Sequence, residues 1–263
     1  MTTISADKTM NDRFVLFLDI LGFSQLVLNN SPENLKQIYD SELHQTAASV
    51  TMMSAGIFGR TENFQILASA QGVLRDVKQD QLSFHVMSDT LIAWTNDDMP
   101  ESLLHLSQFT ATYLAMTLTL GIPHRGAISK GNIELVDLPL NGKLQSNVIG
   151  SGVVNAHRFE AGQEWTGCVV DPRCLEELPI QKQDFIQLPG CPIVEYTTPY
   201  SSKAKLRSEL AIDWPRCLKH LIPNADPNFI RTQFGRYDKP IDESTEKIQN
   251  SEAFFTAMTE PNS

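Results

Sequence analysis

The chain has 263 residues, 41% hydrophobic and 20% charged, a composition of soluble folded proteins that suits one large domain or one domain with an extension. Its 31 acidic and 21 basic side chains leave a formal charge of −10, which disfavours sequence-independent nucleic-acid binding, since that works by neutralising phosphates. Cys168, Cys174, Cys191 and Cys217 show no CxxC spacing and read as reduced thiols of a cytoplasmic protein, residues 1–12 lack the apolar core of a signal peptide, and Phe109–Ile122 is too short and threonine-rich to span a bilayer.

In chain order, residues 1–12 read as a flexible lead. Phe14-Val-Leu-Phe-Leu-Asp19 is an apolar run that predicts a buried strand over 13–19, ending on a carboxylate and turning at Gly22. Phe23 to Leu28 opens a short helix. A second starts at Pro32 behind a Ser31 cap, with Leu35, Ile38, Tyr39 and Leu43 on one face. Residues 54–80 predict an irregular connection. Strands over 82–87 and 90–95 form a hairpin hinged on Ser88-Asp89, and Pro100 to Leu120 reads as a helix with Leu103, Leu106, Phe109 and Tyr113 on one side. A strand over 124–130 follows, then an arm or loop over 132–147, a helix over 150–161 and short strands at 168–170 and 193–197. Trp214, Phe229, Phe234 and Phe254 suggest that residues 176–263 pack on the core; the tail from Tyr237 reads as polar, with fraying last residues. The order β-α-β-β-α-β predicts an α+β, ferredoxin-like fold: an antiparallel sheet with helices packed on it.

Two carboxylates, Asp19 and Asp89, each end a strand beside a tight turn. A buried carboxylate is costly unless something pairs with it. Two such groups are what a divalent-metal phosphoryl-transfer site needs, because magnesium and manganese prefer carboxylate, water and phosphate oxygens. Taken singly, either Asp could simply cap a turn.

The segment Phe17-Leu-Asp19-Ile20-Leu21-Gly22-Phe23-Ser24, followed 70 positions on (Asp19 to Asp89) by Ser88-Asp89-Thr90, resembles the two metal-binding segments of class III nucleotidyl cyclases. Gly150-Ser-Gly-Val-Val-Asn-Ala-His-Arg158-Phe-Glu160 resembles that family's third motif, a helix with a catalytic arginine, and His124-Arg-Gly-Ala-Ile-Ser-Lys-Gly131 resembles its strand before the dimerisation arm. The single-domain form, the drifted third motif and the Arg-Gly-Ala-Ile-Ser phrase are most similar to the pyrimidine cyclases of bacterial Pycsar anti-phage systems. The resemblance covers roughly residues 12–175, so a cyclase catalytic domain over 13–175 and a C-terminal extension over 176–263 are expected.

The resemblance implies two divalent cations, Mn2+ or Mg2+, on Asp19 and Asp89 and on the Ile20 backbone. It implies a phosphate cradle from the backbone of Leu21, Gly22 and Phe23, and a transition-state role for Arg158. It also implies a homodimer with shared sites, Asp19 and Asp89 coming from one chain and Arg158 from the other. Product would act on a separate cyclic-nucleotide-activated effector in phage defence. The family's asparagine four positions before the arginine is Val154 here, with Asn155 one place later. Where purine cyclases carry their base-selecting pairs, this chain has His85 and Asn147, which can hydrogen-bond a pyrimidine edge but do not by themselves choose uracil or cytosine. Arg125, Lys130, Lys203 and Lys205 are candidate cations for the terminal phosphates. UTP is the expected substrate. The alternatives are an adenylyl or guanylyl cyclase with drifted specificity residues, and a non-catalytic nucleotide-binding sensor; for Arg158, the alternative is a surface pair with Glu160 or Glu164.

Overall fold

The computed structural model describes residues 12–38, 46, 49–50, 82–140, 143–238 and 245–260. The lead, the connection over 54–80, and Tyr39 and Leu43 of the expected helical face lie outside them, Asp12 apart.

Strand β1 (Arg13–Ile20) runs into α1 (Phe23–Asn29) and α2 (Pro32–Gln37). Ser31 caps α2 by accepting the Asn34 N–H at 3.3 Å, as the Ser-Pro pair predicts. A hairpin of β2 (Leu82–Met87) and β3 (Thr90–Thr95) leads to α3 (Pro100–Thr119) and β4 (His124–Gly131). These four strands lie in the order β4-β1-β3-β2, every neighbouring pair antiparallel. That is the ferredoxin-like arrangement expected from the element order.

The stretch expected as an arm or loop is a two-stranded ribbon, β5 (Glu134–Leu140) with β6 (Lys143–Ile149), separate from the main sheet. Helix α4 (Ser151–Glu160) follows, and β7 (Gly167–Val170) joins β4 in parallel. The C-terminal region then adds α5 (Arg173–Glu176), α6 (Lys182–Ile186), β8 (Ile193–Glu195) and β9 (Leu210–Ile212). The last two continue the sheet as β7-β9-β8. Helices α7 (Trp214–Leu221), α8 (Pro227–Phe234) and α9 (Thr245–Thr259) complete the chain.

Helix α3 explains this layering. It is apolar on almost every side, so packing against the sheet alone would leave half of it in water. Leu103, Leu106, Phe109 and Tyr113 are buried as expected, and so are Leu104, Ala111, Leu114, Ala115 and Leu118, with α7 and α8 packed against the helix. Its buried hydroxyls bond back along the helix, Ser107 to Leu103 O and Thr110 to Leu106 O at 2.7 Å each, which removes the cost of desolvating them. The tail is not simply polar either: Ile248, Phe254 and Phe255 of α9 are buried in the main core. All four cysteines are free and buried. Among the described residues, no helix is long and apolar enough to cross a membrane.

Candidate active site

Strand β1 alternates. Phe14, Leu16 and Leu18 are buried in the core that contains α3, so Asp19 falls on the opposite face, the side of Val15 and Phe17. That face packs against α4; the Phe17 and His157 rings meet edge to face at 5.2 Å. Asp89 arrives from the β2–β3 hairpin. Ser88 at its tip has φ 55, in the left-handed region that non-glycine residues rarely enter. The Asp89 carbonyl accepts the Ile20 N–H at 3.0 Å and seats the tip on the end of β1.

The result is contact between the two expected carboxyls: Asp19 and Asp89 share a side-chain hydrogen bond. Burial, then the negative charges of Glu160 and Asp89, push the Asp19 carboxyl up to about 7, while Arg125 pulls it down.

Glu160 acts on Asp19 as well, a placement that sequence reading missed. From the sequence it reads only as a surface partner for Arg158. Instead it lies on the buried side of α4 with Gly152, Ala156 and Phe159, and its carboxylate ion-pairs with Arg125. Its place four residues after Ala156 was the available signal, because residues four apart share a helix face. Glu164, the other weighed partner, pairs with Lys247 at 3.2 Å. Arg125 also donates to the Gln163 carbonyl at 3.0 Å. Lys130 sits between Asp98 (3.0 Å) and Glu177 (2.9 Å), a pairing that accounts for it structurally.

At the turn after β1, Gly22 takes φ 73, which glycine adopts freely. The Leu21 N–H donates to Pro123 O at 2.9 Å, so of the expected cradle (Leu21, Gly22, Phe23) this amide already has a protein partner.

Arg158 is exposed on α4 and lines a cleft of about 660 Å³ with His157, Ser201, Lys203, Lys205 and Leu206. The loop that carries the lysines is tied to the end of α4: Ser201 N–H donates to Gly162 O at 2.8 Å and Glu164 N–H to Pro199 O at 3.0 Å. Three of the expected cations thus share one cleft, although Lys203 and Lys205 lie 45 and 47 positions after Arg158 (203 − 158 and 205 − 158). His85 stands opposite Ile92 in the β2–β3 register, and Asn147 precedes Val148; Ile92 and Val148 belong to one apolar cluster with Val15 and Trp94.

Among the described residues, no group of three or more His, Cys, Asp or Glu side chains is arranged to hold a metal ion. The Asp19–Asp89 pair still fits magnesium or manganese, which commonly take one or two carboxylates and complete their shells with water and phosphate oxygens. A buried carboxyl raised by a neighbouring carboxyl's charge is one that a divalent ion would relieve.

No family model matches the chain, and no curated protein matches it. Solved structures do. The guanylate cyclase domain of RhGC from Catenaria anguillulae, in complex with GTP, is 13% identical over 72% of this chain and 87% of that one, with a TM-score of 0.44. The adenylyl cyclase CyaB from P. aeruginosa is 13% identical over 76% of this chain and 91% of its own, with a TM-score of 0.40. A bacterial light-regulated adenylyl cyclase is 12% identical over 67% of this chain, with a TM-score of 0.41, and this chain spans 48% of its length.

Proposed function

We propose that this chain is a nucleotidyl cyclase that converts UTP to its 3′,5′-cyclic monophosphate and pyrophosphate. The observation that carries the reading is the meeting of Asp19 and Asp89, two carboxyls 70 residues apart (19 to 89), at one sheet end in the order the sequence motifs require. In the reaction the 3′ hydroxyl oxygen bonds to the α-phosphorus, the bond to the bridging oxygen of pyrophosphate breaks, and the hydroxyl proton is released. Asp19, Asp89 and the Ile20 backbone would hold divalent ions, which would supply Lewis-acid stabilisation of the nucleophile and the phosphates.

The other residues divide the remaining work. Backbone at Gly22 and Phe23 lies against the triphosphate, where the absence of a Cβ at Gly22 permits close approach. Arg158 donates to the α-phosphoryl oxygens, since a guanidinium stays charged and offers a planar fork. Lys203 and Lys205, in the same cleft, hold the departing pyrophosphate. His85 and Asn147 read the base edge.

Within one chain Arg125 is the cation that acts on Asp19, and the cleft that Arg158 lines with Lys203 and Lys205 does not include Asp19 or Asp89 among its lining residues. A homodimer with the Arg158 cleft of one chain over the Asp19–Asp89 pair of the other brings the halves together. Leu135 and Ile149 of the ribbon and Val154 of α4 are about half exposed, at 48%, 52% and 50%, and supply apolar surface for that contact. The cyclic product then signals to a separate effector during phage infection.

The test is a competition among UTP, CTP, ATP and GTP with Mn2+, the products identified by mass. Cyclic UMP is expected to dominate. Cyclic CMP would keep the class and correct the base. Cyclic AMP or cyclic GMP would favour a purine cyclase with altered base contacts, and no cyclic product would favour a non-catalytic nucleotide sensor.

A further inference from the structure

The turn that carries Asp19, Ile20 and Gly22 is closed from behind by the C-terminal region. Asn30, the residue that ends α1, donates through Nδ2 to two carbonyls: Leu26 O at 2.9 Å, within its own helix, and Tyr237 O at 2.9 Å. Tyr237 has φ 60 and ψ 38, a left-handed conformation for a bulky residue. Its ring packs with Ile20, Leu26 and Ile122 in a small apolar cluster separate from the main core. Arg236, next to it, donates from Nη1 to Thr119 O at 2.9 Å, at the end of α3. Gly121 then turns at φ 81, where a Cβ would come within 2.6 Å of the Arg236 side chain.

These contacts converge on one element. Ile20 is both a member of the small cluster and the residue whose N–H is held by Asp89 O. Leu26 is both a member of the cluster and the α1 carbonyl that Asn30 caps. A strained backbone at Tyr237 persists only where its surroundings hold it, and here they are the segment beside the carboxylate pair.

We propose that Asn30 and Tyr237 form a latch that positions the β1–α1 turn for the triphosphate, so that the C-terminal region sets nucleotide affinity without touching nucleotide. The inference rests on the reading of the turn around Asp19 and Gly22 as the metal and phosphate site. Releasing the latch lowers the fraction of chains whose turn is in place, and apparent affinity falls by that fraction.

The test uses the full chain with Asn30→Ala. Three quantities are read: amide hydrogen exchange over residues 20–29, the Mn2+ dissociation constant from the free-ion paramagnetic resonance signal, and KM against kcat for UTP. Loss of a side chain–backbone hydrogen bond predicts for Asn30→Ala about fivefold faster exchange, with about fivefold weaker Mn2+ binding and higher KM, and little change in kcat. Unchanged exchange over 20–29 in Asn30→Ala would overturn the latch, as would a lower melting temperature with Mn2+ affinity and KM unmoved. If the wild-type protein forms no cyclic nucleotide, the cyclase reading fails, while exchange and Mn2+ affinity still decide the latch.

Discussion

Asp19 and Arg125 stand opposite each other across β1 and β4, yet the Arg125 guanidinium pairs with Glu160 and the Gln163 carbonyl. Facing residues in an antiparallel pair are close enough for their side chains to interact. Glu160, almost fully buried, therefore pairs with the same cation whose charge acts on a candidate metal ligand. In Glu160→Gln, Arg125 is freed toward Asp19 and the local negative charge drops. Mn2+ binding should weaken by about tenfold, equivalent to about 1.4 kcal/mol, as measured by paramagnetic resonance of the free ion. Unchanged affinity would mean that Glu160 serves α4 alone.

The metal-free protein should lose stability as pH rises toward neutrality. Asp19 is raised from its ordinary 3.8 to about 7 by burial, Glu160 and Asp89. Its contribution is full below the unfolded value and is lost as pH climbs through the folded one, because between the two values the folded state holds a proton that the unfolded state has released. Urea unfolding between pH 4 and pH 7.5 with chelator present should show this slope, and Asp19→Asn should flatten it. Mn2+ should recover stability at pH 7.5 in wild type and not in Asp19→Asn.

Complementation tests the shared site. Asp89→Ala and Arg158→Ala should each be inactive, and mixing them should restore activity, since a mixed dimer holds one site with both changes and one with neither. Failure to recover, with subunit exchange verified by labelled chains, would place both groups in one chain or remove Arg158 from the chemistry.

Base choice is tested by His85→Ala and Asn147→Ala. Both are expected to reduce the preference for UTP more than total metal-dependent turnover, because a site built on hydrogen bonds discriminates by leaving groups unpaired. An unchanged ratio of products from the four triphosphates would exclude these two residues as base readers.

The last helix carries a stability prediction. Phe254 is fully buried, its ring 4.7 Å from Trp165 and 4.6 Å from Tyr196, so α9 closes the core beyond β7. Phe254→Ala should cost about 3–5 kcal/mol by urea denaturation, the usual range for emptying a buried aromatic site. A cost under about 1 kcal/mol would mean that the helix is dispensable.

Legibility followed the range of the physical signal. The apolar runs of β1 and β3, the Ser31-Pro32 start and the β2–β3 hairpin are local patterns, and each was readable with near-correct bounds. Asp226-Pro227, a cap followed by a first-turn proline, opens α8 and was equally local, though not read; Asp226 accepts the Phe229 N–H at 2.8 Å. The burial of α3 by later helices and the extension of the sheet by β8 and β9 depend on long-range packing, which periodicity does not encode. In the candidate site, the strand-end positions of Asp19 and Asp89 were legible because carboxylates there break an apolar pattern. Glu160 was not, because its role depends on Arg125, which comes from another element. The cleft shared by Arg158, Lys203 and Lys205 exists only once the 199–204 loop is bonded to the end of α4.

Cyclisation itself is tested most directly by following UTP and Mn2+ with the wild-type protein and with Asp89→Ala, phosphorus resonance reporting the phosphates and mass the nucleotide. Wild type should release pyrophosphate and cyclic UMP in equal amounts, and Asp89→Ala should release neither. Inorganic phosphate with UDP, or pyrophosphate and cyclic UMP undiminished in Asp89→Ala, would contradict cyclase chemistry at the Asp19–Asp89 pair.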